Sequence, residues 1–324
     1  MCLFIYFGVV LFFDVYKIKN LICSILIFGA ALSGVTALSS CSSKEKTISI
    51  YTRDTTSGTR DGFFTGIGLS EAKEDNTPLK SGYIEVGSNG DMINSVKNDV
   101  NGIGYISLSS LGEAGVKGLV YEGVEPTEAN VLSGKYKLTR NFNYCLRESY
   151  ENVTNKEICD AFVAYMSSIE GKATIKDKGG ILETSSQDKS WEELKANYAV
   201  TSKDNSSITI SVGGSTSVKS IVSALLLEFS SKCGGFKYNY NPTGSSDAYK
   251  RTNGSEKDGA NYCDLAFLSR EFKTEEALDE KLKGKMCIDA IVAVVNNKNN
   301  VSKVSAANLR DIYTGAITKW DEVK

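Results

Sequence analysis

A chain of 324 residues, 41% hydrophobic and 23% charged, is ordinary globular material and long enough for two lobes with separate cores. Its formal net charge of −2 gives no basic field for nucleic acid. With no histidine anywhere, Ser-His-Asp and Cys-His catalysis, histidine-ligated zinc and a histidine pH switch are all excluded.

Residues 1–41 read as an address. Lys17 and Lys19 form a short basic region, an apolar run from Leu21 to Leu38 follows, and Leu38-Ser39-Ser40-Cys41 closes it. This resembles a bacterial lipoprotein signal, whose cleavage leaves Cys41 as the lipidated N-terminus. An uncleaved membrane anchor is the alternative, since the run approaches the ~20 residues a span needs. Residues 1–16 are extra apolar sequence, either a mis-set start or a second apolar segment. Either way the body of the protein is expected outside the cytoplasm and tied to the membrane, with Ser42 to Thr47 as a polar tether. The eight cysteines are Cys2, Cys23, Cys41, Cys145, Cys159, Cys233, Cys263 and Cys287, and no two form a C-x-x-C pair. They read as small buried hydrophobes, with a disulfide of unassigned pairing open to an exported protein.

The remainder alternates β-rich runs with helical patterns, an α/β chain. Ile48 to Tyr51 predicts a strand, and a helix starts near Ser57 with Phe63 and Phe64 buried. Asn89 to Val100 predicts a short helix and Gly102 to Leu108 a strand. Ile158, Phe162, Met166 and Ile169 give Thr154 to Lys172 the period of one helix. Residues 181–207 are polar and irregular around Trp191 and read as a linker with one turn of helix. Then come a strand at Ile208–Val212, a helix at Val218–Phe229 and a strand at Phe236–Tyr240. A helix opens at Thr243-Gly244-Ser245-Ser246, and Asp264–Leu268 is a strand ending at Ser269. The nearly all-apolar Ile288–Val295 fits a buried parallel strand, and a helix spans Ala306–Tyr313.

Three times a strand runs into a Gly/Ser/Thr cluster that opens a helix: Ser57-Gly58-Thr59, Ser215-Thr216-Ser217 and Gly244-Ser245-Ser246. Helix starts carry unsatisfied N–H groups and the positive end of the dipole, which suits an anion. Ser and Thr are also ordinary N-caps, so one such cluster says little. Three together, one preceded by Arg53, point to an oxyanion. No G-x-x-x-x-G-K-[ST] loop occurs, and Gly102-Ile103-Gly104 lacks the third glycine of a dinucleotide fingerprint. The carboxylates show no acid–base spacing.

Thr52 to Phe63 (TRDTTSGTRDGF) resembles the arginine-and-SGT loop of the phosphate-binding proteins of ABC importers. The stretches Ile208–Val218, Asn241–Lys250, Asp264–Glu271 and Leu309–Val323 resemble the same family, as do Gly102–Leu108 and Gly123–Leu138. The resemblance covers nearly the whole chain after the leader, apart from 182–206. Its halves stand in exchanged order, which looks like a circular permutation in which residues near 182–206 join the usual termini; the competing reading is a gene fragment spanning halves of two tandem copies. It implies a two-lobed periplasmic-binding (type 2) fold with parallel and mixed sheets. Lobe A would hold 48–105 and 290–324, lobe B 106–289, with the crossovers near Gly104 and Ile291. It further implies that Arg53, Ser57, Gly58 and Thr59 bind phosphate from one lobe and Thr216, Ser217, Ser245 and Ser269 from the other. Many members carry Asp where Ser269 stands, and Arg270 and Glu271 beside it could contribute. The usual acid partnering the arginine is Thr55 here, so Asp54 would serve. The expected function is a non-enzymatic, monomeric solute-binding lipoprotein that hands phosphate to a membrane permease, with no cofactor or metal. The alternatives are a binder of sulfate or molybdate and a phosphate-sensing lipoprotein outside transport.

Overall fold

The computed structural model describes residues 47–112 and 115–323. The leader, Cys41 and the tether before Thr47 lie outside them. In chain order the first half holds β1 (Ser49–Arg53), α1 (Gly58–Gly66), β2 (Ile84–Val86), α2 (Asn89–Asn98), β3 (Gly102–Ser107), β4 (Val116–Gly118), β5 (Val120–Tyr121), α3 (Glu128–Leu132), β6 (Thr139–Leu146), α4 (Val153–Ser167) and α5 (Ile169–Asp177). Then follow α6 (Trp191–Lys195), β7 (Thr209–Gly214), α7 (Lys219–Lys232), β8 (Lys237–Pro242), α8 (Ser245–Thr252), β9 (Leu265–Leu268), β10 (Lys283–Asn296), β11 (Lys303–Val304) and α9 (Ala306–Thr314). Among the described residues no helix is long and apolar enough to cross a membrane.

The strands run β2-β1-β3-β10-β6-β9-β7-β8, with β4 also on β10. The element that organises this order is β10, whose 14 residues extend about 46 Å at ~3.3 Å per residue. Its second half, Ile291–Val295, pairs with β3, while Lys283–Ala290 pairs with β6. One strand therefore belongs to two sheets, and each sheet builds its own core. The first collects Ile50, Phe63, Phe64, Tyr105, Leu309 and Tyr313. The second collects Phe162, Tyr165, Ile221, Leu225, Phe229 and Phe236. This is the expected two-lobed α/β fold.

Three expectations change. First, β10 is buried as expected, but it runs antiparallel to β3, β4 and β6; burial on both faces, not parallel pairing, explains its apolar run. Second, Leu119, Tyr121, Val131, Tyr136 and Leu138 pack in the first core. The chain therefore leaves the first lobe at Leu138–Thr139, not at residue 106, and β3 with Gly104 lies wholly in the first sheet. The two crossings sit side by side, joined by Ile291 N–H donating to the Leu138 carbonyl at 2.8 Å. Third, the single helix expected over 154–172 is two. Ser168 is extended and its Oγ accepts from the Gly171 N–H, starting a new helix. A side chain at Gly171 would collide with the Tyr165 carbonyl, at 2.0 Å from an added Cβ.

Residues 182–206 are irregular, as expected, but they are packed. Trp191 is buried edge-on against Tyr165 and Phe229, with ring centroids 5.5 and 5.4 Å apart. The start and end of the described chain meet: Ile48 N–H donates to the Thr318 carbonyl at 2.8 Å and the Trp320 indole to the Asn101 carbonyl at 3.1 Å. The described cysteines Cys145, Cys159, Cys233, Cys263 and Cys287 are buried free thiols, and burial raises the pKa of each.

Candidate anion-binding cleft

Strands β7, β8 and β9 run parallel, and so do β1, β2 and β3. The carboxyl ends of parallel strands are where α/β sheets place ligands. Here β1 delivers Arg53, β7 delivers Ser215, β8 leads to Ser245 and β9 delivers Ser269. The Ser57 side chain caps α1, accepting from the Thr59 and Arg60 N–H groups at 3.2 and 3.4 Å. Ser215 likewise accepts from Ser217 N–H at 3.1 Å, at the turn before α7. The start of α8 at Gly244 has no side-chain cap.

All eight predicted residues converge, although Ser57 is occupied as a cap. Thr59 Oγ1 lies 2.7 Å from Ser217 Oγ, across the two lobes. Arg53 Nη2 lies 3.3 Å from Thr216 Oγ1. Ser269 is a hub: its Oγ is 2.8 Å from Ser215 Oγ and 3.0 Å from Ser245 Oγ, and its N–H donates to Ser245 Oγ at 2.9 Å. Gly58 lies directly against it, since an added Cβ would come 2.5 Å from Ser245 Oγ and Ser269 Oγ. The result is a buried mesh of hydroxyls, each able to donate or accept.

Arg53 is 1% exposed. Its Nε donates to the Val86 carbonyl at 3.2 Å, and its Nη2 to the Gly87 carbonyl at 2.8 Å and to Asp54 Oδ2 at 3.3 Å. Burial lowers its pKa, and Asp54 pulls it back up, so Asp54 takes the role expected of it. Buried Arg60 supports the strand end from below, donating through Nη1 to the Arg53 carbonyl at 2.7 Å. The Tyr105 hydroxyl accepts from the Arg53 N–H at 3.0 Å. With this bracing, one buried donor, Arg53 Nη1, has no hydrogen-bond partner among the described residues. A buried guanidinium N–H calls for an oxygen acceptor.

A family model described as the PBP superfamily domain matches residues 199–324. The phosphate-binding protein PstS 2 of Streptococcus pneumoniae is 30% identical over 301 residues, spanning 92% of this chain and 94% of that protein. The corresponding protein of Streptococcus agalactiae is 28% identical over 302 residues, 91% of this chain and 95% of its own length. The chain belongs to the PstS-like family of phosphate-binding proteins. A solved relative, the phosphate-binding protein of a phosphate ABC transporter from Streptococcus pneumoniae, superposes with a TM-score of 0.62 at 29% identity, covering 86% of this chain and all of that one.

Against the PstS-like pattern expected from the sequence, Arg270 is not a spare cation. Its Nη1 and Nη2 each bond the Glu276 carboxylate at 2.7 Å. Glu271 accepts from Asn141 Nδ2 at 2.8 Å. Two residues beneath the cleft went unnoticed in the sequence. Arg140, on β6, donates through Nη1 to the Ser269 carbonyl at 3.3 Å and pairs with Asp289 of β10 at 2.8 Å. The signal was present: Asp289 is the one acid in the apolar run Ile288–Val295.

Proposed function

We propose that this protein binds inorganic phosphate between its lobes and delivers it to the membrane permease of an ABC importer, without chemical conversion. The observation that carries the reading is the buried, unpartnered Nη1 of Arg53 beside a mesh of hydroxyls at four strand ends. A guanidinium offers a fork that matches phosphate oxygens, and hydroxyls can turn to accept from a P–OH or donate to a P–O⁻. Arg53, Ser57, Gly58 and Thr59 would act from the first lobe, Ser57 by holding the α1 N-terminus in place. Thr216, Ser217, Ser245 and Ser269 would act from the second. Closure is a hinge motion at the paired crossings Leu138–Thr139 and Ala290–Ile291. In the cell the protein would stand outside the cytoplasm, anchored through a lipidated Cys41, as a monomer.

The exchanged order expected from the sequence is not particular to this chain, since one alignment spans 92% of it and 94% of the pneumococcal protein; any circular permutation would be shared with that relative.

Calorimetric titration of residues 42–324 with phosphate and then sulfate, at neutral pH, tests the function. Phosphate heat alone supports it. Equal binding of both anions would make this a general oxyanion binder. No heat from either, on a cooperatively folded protein, refutes anion binding.

A further inference from the structure

Nothing in the cleft's own hydroxyl mesh explains why Ser269 stays where it is. Its Oγ and N–H are spent on other mobile hydroxyls, and its carbonyl lies close to Gly58, 2.8 Å from an added Cβ. What fixes that carbonyl is Arg140. The Arg140 guanidinium is buried and divides its donors: Nη1 to Ser269 O at 3.3 Å, Nε to Asp289 Oδ2 at 3.0 Å and Nη2 to the same oxygen at 2.8 Å. The other carboxylate oxygen of Asp289 accepts from Ser107 Oγ at 2.7 Å, and Ser107 Oγ lies 2.7 Å from Ser109 Oγ. A continuous buried polar chain therefore runs from Ser269 through Arg140 and Asp289 to Ser107.

The places it touches flank the two crossings between the lobes. Arg140 is the second residue of β6, immediately after one crossing. Asp289 lies on β10 immediately before the other, and Ser107 ends β3 in the first sheet. Charges buried together are no strong source of stability, because desolvation offsets their attraction; they are better at fixing one arrangement. Burial works against both charged forms here, lowering Arg140 and raising Asp289, while each partner opposes the shift.

We propose that Arg140, paired with Asp289, is a positioning residue that couples the two crossings to Ser269 and so sets the cleft's affinity for its anion. The inference rests on the anion-binding reading of the cleft, and one arm of its test does not depend on that reading. The pair is replaced together, R140M with D289L, so that no lone charge is left buried; R140K alone keeps the charge but not the fork. Phosphate is titrated calorimetrically into residues 42–324, and amide exchange over residues 265–271 is followed without phosphate. The double variant should melt like the parent yet bind phosphate at least about tenfold more weakly. Its exchange should rise over 265–271 and not in α7, and R140K should recover part of the affinity. A folded double variant with parental affinity or with parental exchange over 265–271 overturns the proposal. A parent that binds no phosphate refutes the functional reading instead, and the exchange result then decides this one.

Discussion

Replacing Gly58 by Ala isolates lobe closure from folding. Gly58 is the first residue of α1, it is buried, and its backbone is not in the left-handed region, so Ala is locally acceptable. The advantage of Ala over Gly, roughly 1 kcal/mol in a helix interior, is smaller at this first position but has the same sign. The new methyl would meet Ser245 Oγ and Ser269 Oγ at 2.5 Å and the Ser269 carbonyl at 2.8 Å. The hydroxyls can turn away, but the carbonyl cannot, because Arg140 and the end of β9 hold it. All three atoms belong to the opposite lobe, so the clash exists only with the lobes together. Overpacking of this kind costs about 1–3 kcal/mol, which is about 5- to 150-fold in Kd if it opposes only the closed form. Calorimetry with phosphate measures that loss, and thermal melting without phosphate measures folding. The expected pair is a weakened Kd with an unchanged or slightly higher melting temperature. Parental affinity would refute the close approach at Gly58. A lowered melting temperature without phosphate would refute the idea that opening relieves the clash.

Arg53→Met removes the guanidinium with its unpartnered Nη1; hydrogen bonds to a charged group are worth about 1.5–3 kcal/mol, so phosphate titration should show about a 10- to 150-fold weaker Kd. Trp191→Ala should lower stability by about 3–5 kcal/mol in denaturant unfolding, because Trp191 is packed against Tyr165 and Phe229; a loss under 1 kcal/mol would make residues 182–206 a passive linker after all. Asp188 and Glu322 are held below their ordinary values of 3.8 and 4.5 by hydrogen bonds, Asp188 from Lys172 and Ser185 N–H and Glu322 from Thr318 and Lys319 N–H. A depressed carboxylate stabilises the fold above its unfolded pKa and loses that contribution as pH falls through its folded value. Melting temperature should therefore fall below about pH 4, and less steeply in D188N.

The helix starts were legible because a cap is a local event: Ser57, Ser215 and Ser305 each bond an N–H two or three residues on. The break between α4 and α5 is local too, and Ser168 with Gly171 marks it once the cap is recognised. That these residues would converge was legible through three repeated strand-to-helix clusters and through family resemblance. The lobe boundary was not, because Tyr136 and Leu138 carry no mark of which core they join; that is decided by β10, about 150 residues later in the chain. Arg140 and Asp289 are separated by 149 residues; Asp289 stands out as the one acid in its apolar run, but nothing local names Arg140 as its partner.

That separation bears on how the cleft handles charge. Its cations are already accompanied, Arg53 by Asp54 and Arg140 by Asp289. A dianion entering the cleft therefore does not meet a large net positive field. It meets oriented donors: the unpartnered Nη1 amino group of Arg53, hydroxyls that can turn, and helix starts held by Ser57 and Ser215. Attraction built from net charge would be strong at the surface and screened within about 10 Å at 0.1 M salt. Attraction built from short, buried hydrogen bonds is screened far less, and it discriminates by geometry and by protonation. The hydroxyl at Ser269 matters in that setting. A carboxylate there would repel any oxyanion that brought no proton, whereas a hydroxyl can answer either state. Discrimination between anions then depends on how firmly the mesh around Ser269 is held, which returns the weight to its carbonyl, to Gly58 pressed against it and to the Arg140–Asp289 pair behind it.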